Sequence, residues 1–315
     1  MLLTLLLAVA LAAIRLRDLL GVVMLFSIYS LLTAAVFMDL DAVDVAFTEA
    51  AVGAGVSTIL LLASLRLVGR HEKPHRHNPL LPLLVVGVTG AALIYGMSDA
   101  PLLGDPGAPA QLHVAPEYLE QAPEATGVPN VVTAVLASYR GYDTLGETVV
   151  VFTAGLAVLL LIGVGAAAPR ADFGSPGDRM VQRHVVKSLV PYVLLFALYV
   201  QFHGDFGAGG GFQAGVIFAA GLVLYDMAFG QSPTRQVIPA RHLLRLGALG
   251  VLIYGGVGFY SLLSGKAYLD YSALAPDPVH GQHLGILLVE LGVGLAVFSV
   301  IMLIYLAFSS RRVQQ

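Results

Sequence analysis

Residues 284–308 read LGILLVELGVGLAVFSVIMLIYLAF, an apolar run of 25 positions with a single carboxylate, Glu290. A helix rises about 1.5 Å per residue, so the run is long enough to cross the ~30 Å hydrocarbon core of a membrane. A carboxylate at the centre of such a helix costs about 3 kcal/mol on insertion scales. The run therefore predicts a membrane helix whose carboxylate faces a polar cavity, a partner or an ion.

The rest of the chain has the same apolar character. It has 315 residues, of which only 12% are charged, and its mean hydropathy is +0.82. These values predict a multi-span membrane protein rather than a soluble domain. The chain has no cysteine, which excludes disulfides and thiolate metal ligands. The sequence predicts no metal site, no cofactor, no catalytic nucleophile and no nucleic-acid partner.

Apolar runs of helical length recur along the sequence and predict an all-α polytopic membrane protein with about nine transmembrane helices. The first and sixth runs are short for a full crossing. The first is interpreted as a span because it lacks the basic start and the cleavage site of a signal peptide. The nine runs lie at about 1–14, 19–38, 45–65, 80–98, 146–168, 188–202, 212–229, 243–263 and 284–308.

Basic residues separate the connections into two classes. Of the 17 Lys and Arg, all but Arg140 and Lys266 fall in alternate connections or at the C-terminus. The positive-inside rule then predicts an external N-terminus and a cytoplasmic C-terminus. The opposite connections are acidic, which is typical either of a solvated face or of a vestibule that attracts cations.

Two polar stretches divide the chain into three predicted modules. A proline-rich connection covers residues 99–144, and a shorter polar segment covers 169–187. We predict a three-span module at 1–78, a two-span module at 79–168 and a four-span module at 169–315. The long connection indicates a functional loop or one covered by partners.

Each predicted module has a glutamate on a helix that enters from the predicted outer side: Glu49, Glu147 and Glu290. One interpretation is an ion or proton route. The alternative is a carboxylate at a helix N-terminus, where it complements the helix dipole by about 0.3–1 kcal/mol. That alternative suits Glu147, which follows Asp143 and Thr144 in a cap-like arrangement.

The segment His203-Gly-Asp-Phe-Gly-Ala-Gly-Gly-Gly-Phe-Gln-Ala-Gly215 joins the sixth and seventh spans. Glycines at every fourth position favour close helix contact, and the glycine run favours a break in the backbone. His203 and Asp205 are candidates for a proton relay, although His203 also fits an interfacial loop residue. The structural glycines that we predict here are Gly207, Gly209, Gly210, Gly211 and Gly215.

Three motifs resemble components of Mrp-type multisubunit cation/proton antiporters. Asp44-Val-Ala-Phe-Thr-Glu49 resembles the three-span module near the C-terminus of MrpA, which is similar to MbhD of membrane-bound hydrogenases. Asp143-Thr-Leu-Gly-Glu147 resembles the two-span, MbhE-like module that follows. Gly209-Gly-Gly-Phe-Gln-Ala-Gly215 resembles MrpB, although Asp205 stands where that family commonly has a histidine.

The resemblance implies a membrane subunit of a Na⁺(K⁺)/H⁺ antiporter in the plasma (inner) membrane of a prokaryote, with other Mrp-type subunits and the lipid bilayer as partners. It also implies that the residues matching Glu49 and Glu147 take part in cation or proton passage. Two alternatives stay open: an ion-translocating arm of a hydrogenase-like respiratory complex, and a structural scaffold. The pathway residues that we predict are Glu49, Glu147, Glu290, His203, Asp205 and Asp44.

Overall fold

The computed structural model describes residues 1–72, 80–102, 104–163 and 176–310. Within these ranges the chain is helical and has no β-strand, only an isolated bridge between Asp18 and His71. The predicted all-α class is therefore confirmed. The predicted module boundaries after residues 78 and 168 lie outside the described residues.

In the part of the chain that the structure describes, nine helices of 12 residues or more lie at the nine predicted spans and are numbered here in chain order. Eight are long and apolar enough to cross a membrane. The first has 12 residues and extends about 18 Å, less than the hydrocarbon thickness. The helices are α1 (Leu2–Ala13), α2 (Leu19–Asp39), α3 (Val43–Val68), α4 (Leu80–Ser98), α5 (Gly141–Leu161), α6 (Pro176–His203), α7 (Gly211–Phe229), α8 (Ala240–Leu263) and α9 (Pro278–Ser309).

Several helices begin earlier than the hydropathy pattern predicts. The pattern places α6 at residues 188–202, but the helix begins at Pro176, and α9 begins at Pro278 rather than near residue 284. Hydropathy marks only the apolar part of a helix, whereas polar residues continue it beyond the hydrocarbon. The start of α9 has its own local signal, because Asp277 caps it by accepting a hydrogen bond of 3.2 Å from the His280 amide.

Helix α3 is irregular at its centre. Its α-helical ends, Val43–Glu49 and Ser57–Val68, flank a π-helical segment at Ala50–Val56. A second π-helical segment, Val135–Tyr139, comes just before α5. Such wide turns often occur at functional sites, and here they follow Glu49 and precede Glu147.

The proline-rich connection folds over the start of α9. It forms four short helices, and Ala122 and Val128 within it have no exposed surface. Gly127 takes a left-handed φ of 71° and lies against Val279 and His283 of α9. The short helices are Pro109–Leu112, Ala115–Glu120, Ala122–Thr126 and Val131–Ala134.

Helix α9 is the central helix, packed against α7 on one side and α8 on another. The backbones approach closely because glycines face each other: an added Cβ at Gly215 would lie 2.7 Å from the Gly294 carbonyl oxygen, and one at Gly292 would lie 2.7 Å from that of Gly250. By contrast, α4 has no buried residue. The chain thus has a packed centre around α9 and an uncovered helix at its edge.

Candidate ion-translocation site

A cavity of about 290 Å³ lies between α3, α5, α7 and α9. All three predicted modules contribute polar side chains to its wall. Apolar residues such as Val289, Val293 and Val297 form the remainder. The polar lining residues are Asp44, Thr48, Thr133, Thr144, Glu147, Thr148, Gln213 and Glu290.

Glu290 lies about three turns into α9, with its carboxylate next to the glycine loop between α6 and α7. An added Cβ would lie 2.8 Å from Glu290 Oε1 at Gly210 and 3.3 Å from it at Gly204. Gly210 also has a φ of 101°, a conformation that favours glycine. Gly204 and Gly210 therefore lack a side chain where the backbone passes directly over a carboxylate.

Within the described part of the chain, no hydrogen-bond donor reaches the Glu290 carboxylate, although Asp205 and Asp44 are close enough to interact with it electrostatically. An unpaired carboxylate beside two others is a site for a proton or a cation. This arrangement is the chemical centre of the cavity.

Glu147 lies beyond the first turn of α5, because the helix begins at Gly141 and not near residue 146. The cap-like alternative for Glu147 is therefore wrong. Asp143 instead forms an ion pair with Arg140 at 2.6 Å, and Thr144 donates a 2.8 Å hydrogen bond to the Leu136 carbonyl. Glu147 is left facing the cavity.

Asn130 connects Asp44 to the glycine loop. Its side-chain amide donates to the carbonyls of Gly204 and Gly207, each at 3.0 Å, and lies 3.5 Å from Asp44 Oδ1. Its backbone amide donates to the Asp205 carbonyl at 3.0 Å. One residue of the proline-rich connection thus holds the loop against the first turn of α3.

Glu49 does not line the cavity. Its carboxylate faces α2, where Glu49 Oε1 and the Ser30 hydroxyl lie 2.5 Å and 2.6 Å from the position of a Cβ added at Gly53. Glycine at position 53 leaves room for both groups at the start of the π-helical segment. The structure therefore separates Glu49 from the pair formed by Glu147 and Glu290.

His203 and Asp205 do not form a side-chain pair with each other. The His203 ring stacks on Tyr199 with ring centroids 5.0 Å apart. Asp205 Oδ2 lies 2.9 Å from Nε2 of His283, on the second turn of α9. Sequence reasoning missed this contact, because 78 residues separate the two partners.

The predicted glycines have different roles. Gly211 and Gly215 lie on α7 against the α9 backbone, whereas Gly207 precedes the helix and lies in the loop against the His203 ring. Gly209 and Gly210 complete the turn into α7. The spacing of four residues therefore marks a helix-packing face only from Gly211 onward.

A second buried carboxylate, Asp226, lies near the other end of α7. It is 5% exposed and accepts a 2.9 Å hydrogen bond from the Tyr305 hydroxyl of α9. It does not line the cavity. Its hydrogen bond to Tyr305 connects α7 to α9 away from the candidate site.

Three family models match consecutive parts of the chain. Residues 4–70 match the MbhD component of MBH, and residues 75–168 match the MbhE component. Residues 181–303 match a domain related to the MnhB subunit of a Na⁺/H⁺ antiporter. The three matches follow one another without overlap.

Two antiporter-subunit relatives match the chain, one over 42% of its length and the other over 90%. The chain is 32% identical over 136 residues to mnhB2 of Staphylococcus aureus (strain Newman), assigned as an antiporter subunit, and covers 96% of it. It is 27% identical over 326 residues to a protein of Rhizobium meliloti (strain 1021), assigned as the A/B subunit of a K⁺/H⁺ antiporter. That match covers 90% of this chain but only 31% of the relative.

Solved structures share the fold. A chain of the Mrp complex from Dietzia sp. DQ12-45-1b matches all of this chain with a TM-score of 0.79 and 29% identity, over 35% of its own length. A chain of the membrane-bound sulfane sulfur reductase, an archaeal respiratory membrane complex, matches 71% of this chain with a TM-score of 0.55 and 26% identity. The match covers 96% of the reductase chain.

The fold and the cavity define a multi-pass membrane protein that places carboxylates from separate segments around one internal space. The family models and the relatives then specify the family. The chain belongs to the Mrp-type antiporter subunits and combines segments related to the C-terminal part of MrpA with a segment related to MrpB.

Proposed function

We propose that this chain is a membrane subunit of a multisubunit Na⁺(K⁺)/H⁺ antiporter and that its cavity forms part of the cation or proton route. The single observation that supports this role is the convergence of Asp44, Glu147 and Glu290 on one cavity. Carboxylates that share an apolar enclosure bind protons or attract a cation. Such groups are costly in a membrane, so their presence around one cavity favours a role in transport.

Glu49 provides a second carboxylate on the ion or proton route, outside the cavity. Its carboxylate lies between α2 and α3, next to the π-helical segment that begins at Ala50. A wide turn loosens the local hydrogen bonding of the helix and makes room for a polar group. A route through the first module would therefore reach Glu49 separately from Glu147.

The chain acts with partners rather than alone. We propose three modules, at 1–78, 79–168 and 169–315, that contact other Mrp-type subunits, including the large antiporter-like ones. Helix α4 is compatible with this arrangement, because its exposed large side chains, such as Leu83, Ile94 and Tyr95, are available to lipid or to a partner subunit. The complex would carry out secondary transport, not catalysis, in the plasma (inner) membrane of a prokaryote.

A second candidate function is an ion-translocating arm of a redox-driven complex. The likeness to the sulfane sulfur reductase chain favours it, since that chain belongs to a respiratory membrane complex. Co-purified subunits separate the two functions. Subunits with cysteine motifs for iron–sulfur clusters would support the redox complex, and large antiporter-like subunits without them would support the antiporter.

The antiporter proposal is tested in membrane vesicles that contain the whole complex. Glu147→Gln and Glu290→Gln keep side-chain size but cannot carry charge or exchange protons. We expect each to lower the cation-dependent change in ΔpH by about tenfold or more, with normal assembly on a native gel. Glu124→Gln is the matched control, because Glu124 is exposed on a short helix outside the cavity.

Wild-type antiport in both cavity variants would refute the cavity route. It would favour the scaffold interpretation, in which the chain seals helices and lipid between larger subunits. Loss of antiport together with loss of assembly would also count for a scaffold. Glu49→Gln, measured in parallel, shows whether Glu49 belongs to the same route as the cavity carboxylates.

A further inference from the structure

The His283 ring and the Asp205 carboxylate form a side-chain contact that extends from the protein surface toward the cavity. Their side chains are 41% and 12% exposed, respectively, and the contact from His283 Nε2 to Asp205 Oδ2 is 2.9 Å. The imidazole is therefore accessible to solvent, while the carboxylate is nearly enclosed. The pair therefore has a solvent-exposed end at His283 and an enclosed end at Asp205.

The enclosed end of the pair adjoins Glu290. Gly204, the residue before Asp205, has its α-carbon so near Glu290 that an added Cβ would lie 3.3 Å from Oε1. His283 and Glu290 are seven residues apart on α9, two turns along the same face, or about 10 Å. A path from solvent toward the cavity therefore meets the His283 imidazole first, then the Asp205 carboxylate and then the Glu290 carboxylate.

Other titratable groups surround His283 without contacting it by a hydrogen bond or ion pair in the described part of the chain. His203 stacks on Tyr199, Asp44 interacts with Asn130, and Asp277 caps α9. Glu124 is exposed on the short helix packed over α9, and His280 is exposed one turn nearer the helix start. Asp205 is therefore the group that orients the His283 ring.

We propose that His283 and Asp205 form the proton-exchange station through which Glu290 equilibrates with the predicted outer side. This inference rests on the proposed function and adds the residue where protons enter. Histidine suits the task because its ordinary pKa, about 6.5, lies near physiological pH. Neither residue of the pair needs a cofactor or a metal for this step.

The transfer balances as a simple relay. A proton from solvent binds Nδ1 of the neutral ring, and the Nε2 proton passes to Asp205 Oδ2. Asp205 then gives its proton to the Glu290 carboxylate and becomes a carboxylate again. The ring is left neutral with its proton on Nδ1, and it returns to the first tautomer when Nδ1 releases that proton to solvent and Nε2 takes up another.

The test measures antiport in right-side-out vesicles containing the complex, with the bath varied from about pH 5.5 to pH 8.5 around the histidine range. We expect His283→Gln to lower the rate by about tenfold and to flatten its dependence on bath pH. His280→Gln is the matched control and should keep the wild-type profile. Native gels and thermal melting report assembly.

A second pair of variants separates proton exchange from a structural contact. Asp205→Asn keeps a hydrogen-bonding partner for His283 but cannot accept a proton, so it should flatten the profile in the same way. The double variant Asp205→His with His283→Asp should recover at least half of the lost rate, because it reverses the pair. If His283→Gln does not assemble, these two variants decide the question.

Different results would refute the His283–Asp205 proton station and the cavity route through Glu290. A wild-type pH profile in His283→Gln and Asp205→Asn, with Glu290→Gln inactive, would refute the proton station and leave the cavity route intact. A uniform loss of rate with an unchanged profile would also refute it, because it indicates a structural ion pair. Full activity in Glu290→Gln would instead refute the proposed function.

Discussion

The side-chain amide of Gln213 on α7 donates a 2.8 Å hydrogen bond to Thr48 Oγ1 on α3, across 165 positions of the chain. Thr48 in turn donates to the Asp44 carbonyl at 2.9 Å. Gln213 is 7% exposed, and both side chains line the cavity. This hydrogen bond connects the first predicted module to the third beside the candidate ion site.

Thr48→Val should destabilise the protein by about 1–3 kcal/mol, because it leaves the Gln213 amide buried without its partner. In Thr48→Val with Gln213→Leu the two losses should not add, since both remove the same hydrogen bond. Denaturant unfolding of the detergent-solubilised complex measures the coupling. Thr58→Val is the control, since the Thr58 hydroxyl donates to the Ala54 carbonyl of its own helix. Additive losses would show that the hydrogen bond is energetically unimportant.

Gly211→Ala should disrupt the packing of α7 against α9. A Cβ at position 211 would overlap the Glu290 carbonyl group, and the forced separation should cost about 1–3 kcal/mol. We expect a lower melting temperature and weaker antiport, because Glu290 and the loop would move apart. Gly256→Ala on α8 meets no atom within 4 Å and should be neutral or stabilising. Equal melting temperatures for the two variants would contradict this packing argument.

Arg70→Gln should lower stability near neutral pH and have less effect in acid. The Arg70 guanidinium donates two hydrogen bonds to Asp18, at 2.9 Å and 2.8 Å, and lowers the pKa of that carboxyl below its ordinary value. A lowered pKa in the folded protein means that the pair stabilises at pH values above the ordinary carboxyl pKa of about 4 and that the effect is lost as pH falls below it.

Thermal melting of the solubilised protein at about pH 7 and about pH 3 measures this difference. The gap between wild type and Arg70→Gln should shrink at the lower pH. Arg15→Gln, at an exposed arginine just before Asp18, should produce no such pH-dependent gap. A gap of the same size at both pH values would mean that Arg70 acts by something other than its charge on Asp18.

The topology predicted from the basic residues can be tested directly, because the chain has no cysteine of its own. Single cysteines at exposed Glu120 and Lys266 should react with a membrane-impermeant maleimide added outside intact cells. Cysteines at exposed Arg70 and Arg241 should react only after the membrane is opened. The reverse pattern would invert the predicted orientation and place the His283–Asp205 pair on the cytoplasmic side.

The sequence determined the class of fold because membrane helices carry a strong local signal. Hydrocarbon requires about 20 apolar residues for each crossing, so the helices α2 to α9 were recognisable from hydropathy alone. Their ends were less predictable: α6 begins at Pro176 and α5 at Gly141, since the polar turns of a helix lie beyond the apolar run. The first helix, Leu2–Ala13, was apolar but too short for a full crossing.

The residues of the candidate site were also predictable only in part from the sequence. The cost of a carboxylate in hydrocarbon identified Glu147 and Glu290 from sequence, and the glycine run at 209–211 indicated a break in the backbone. Tertiary structure alone decided that Glu147 and Glu290 share a cavity with Asp44 whereas Glu49 faces α2, because those distances depend on how helices from separate segments pack. It also replaced the local pair of His203 and Asp205 with the distant pair of His283 and Asp205. Local sequence fixes which residues enter the membrane, and long-range packing of glycine-lined helices fixes which of them meet.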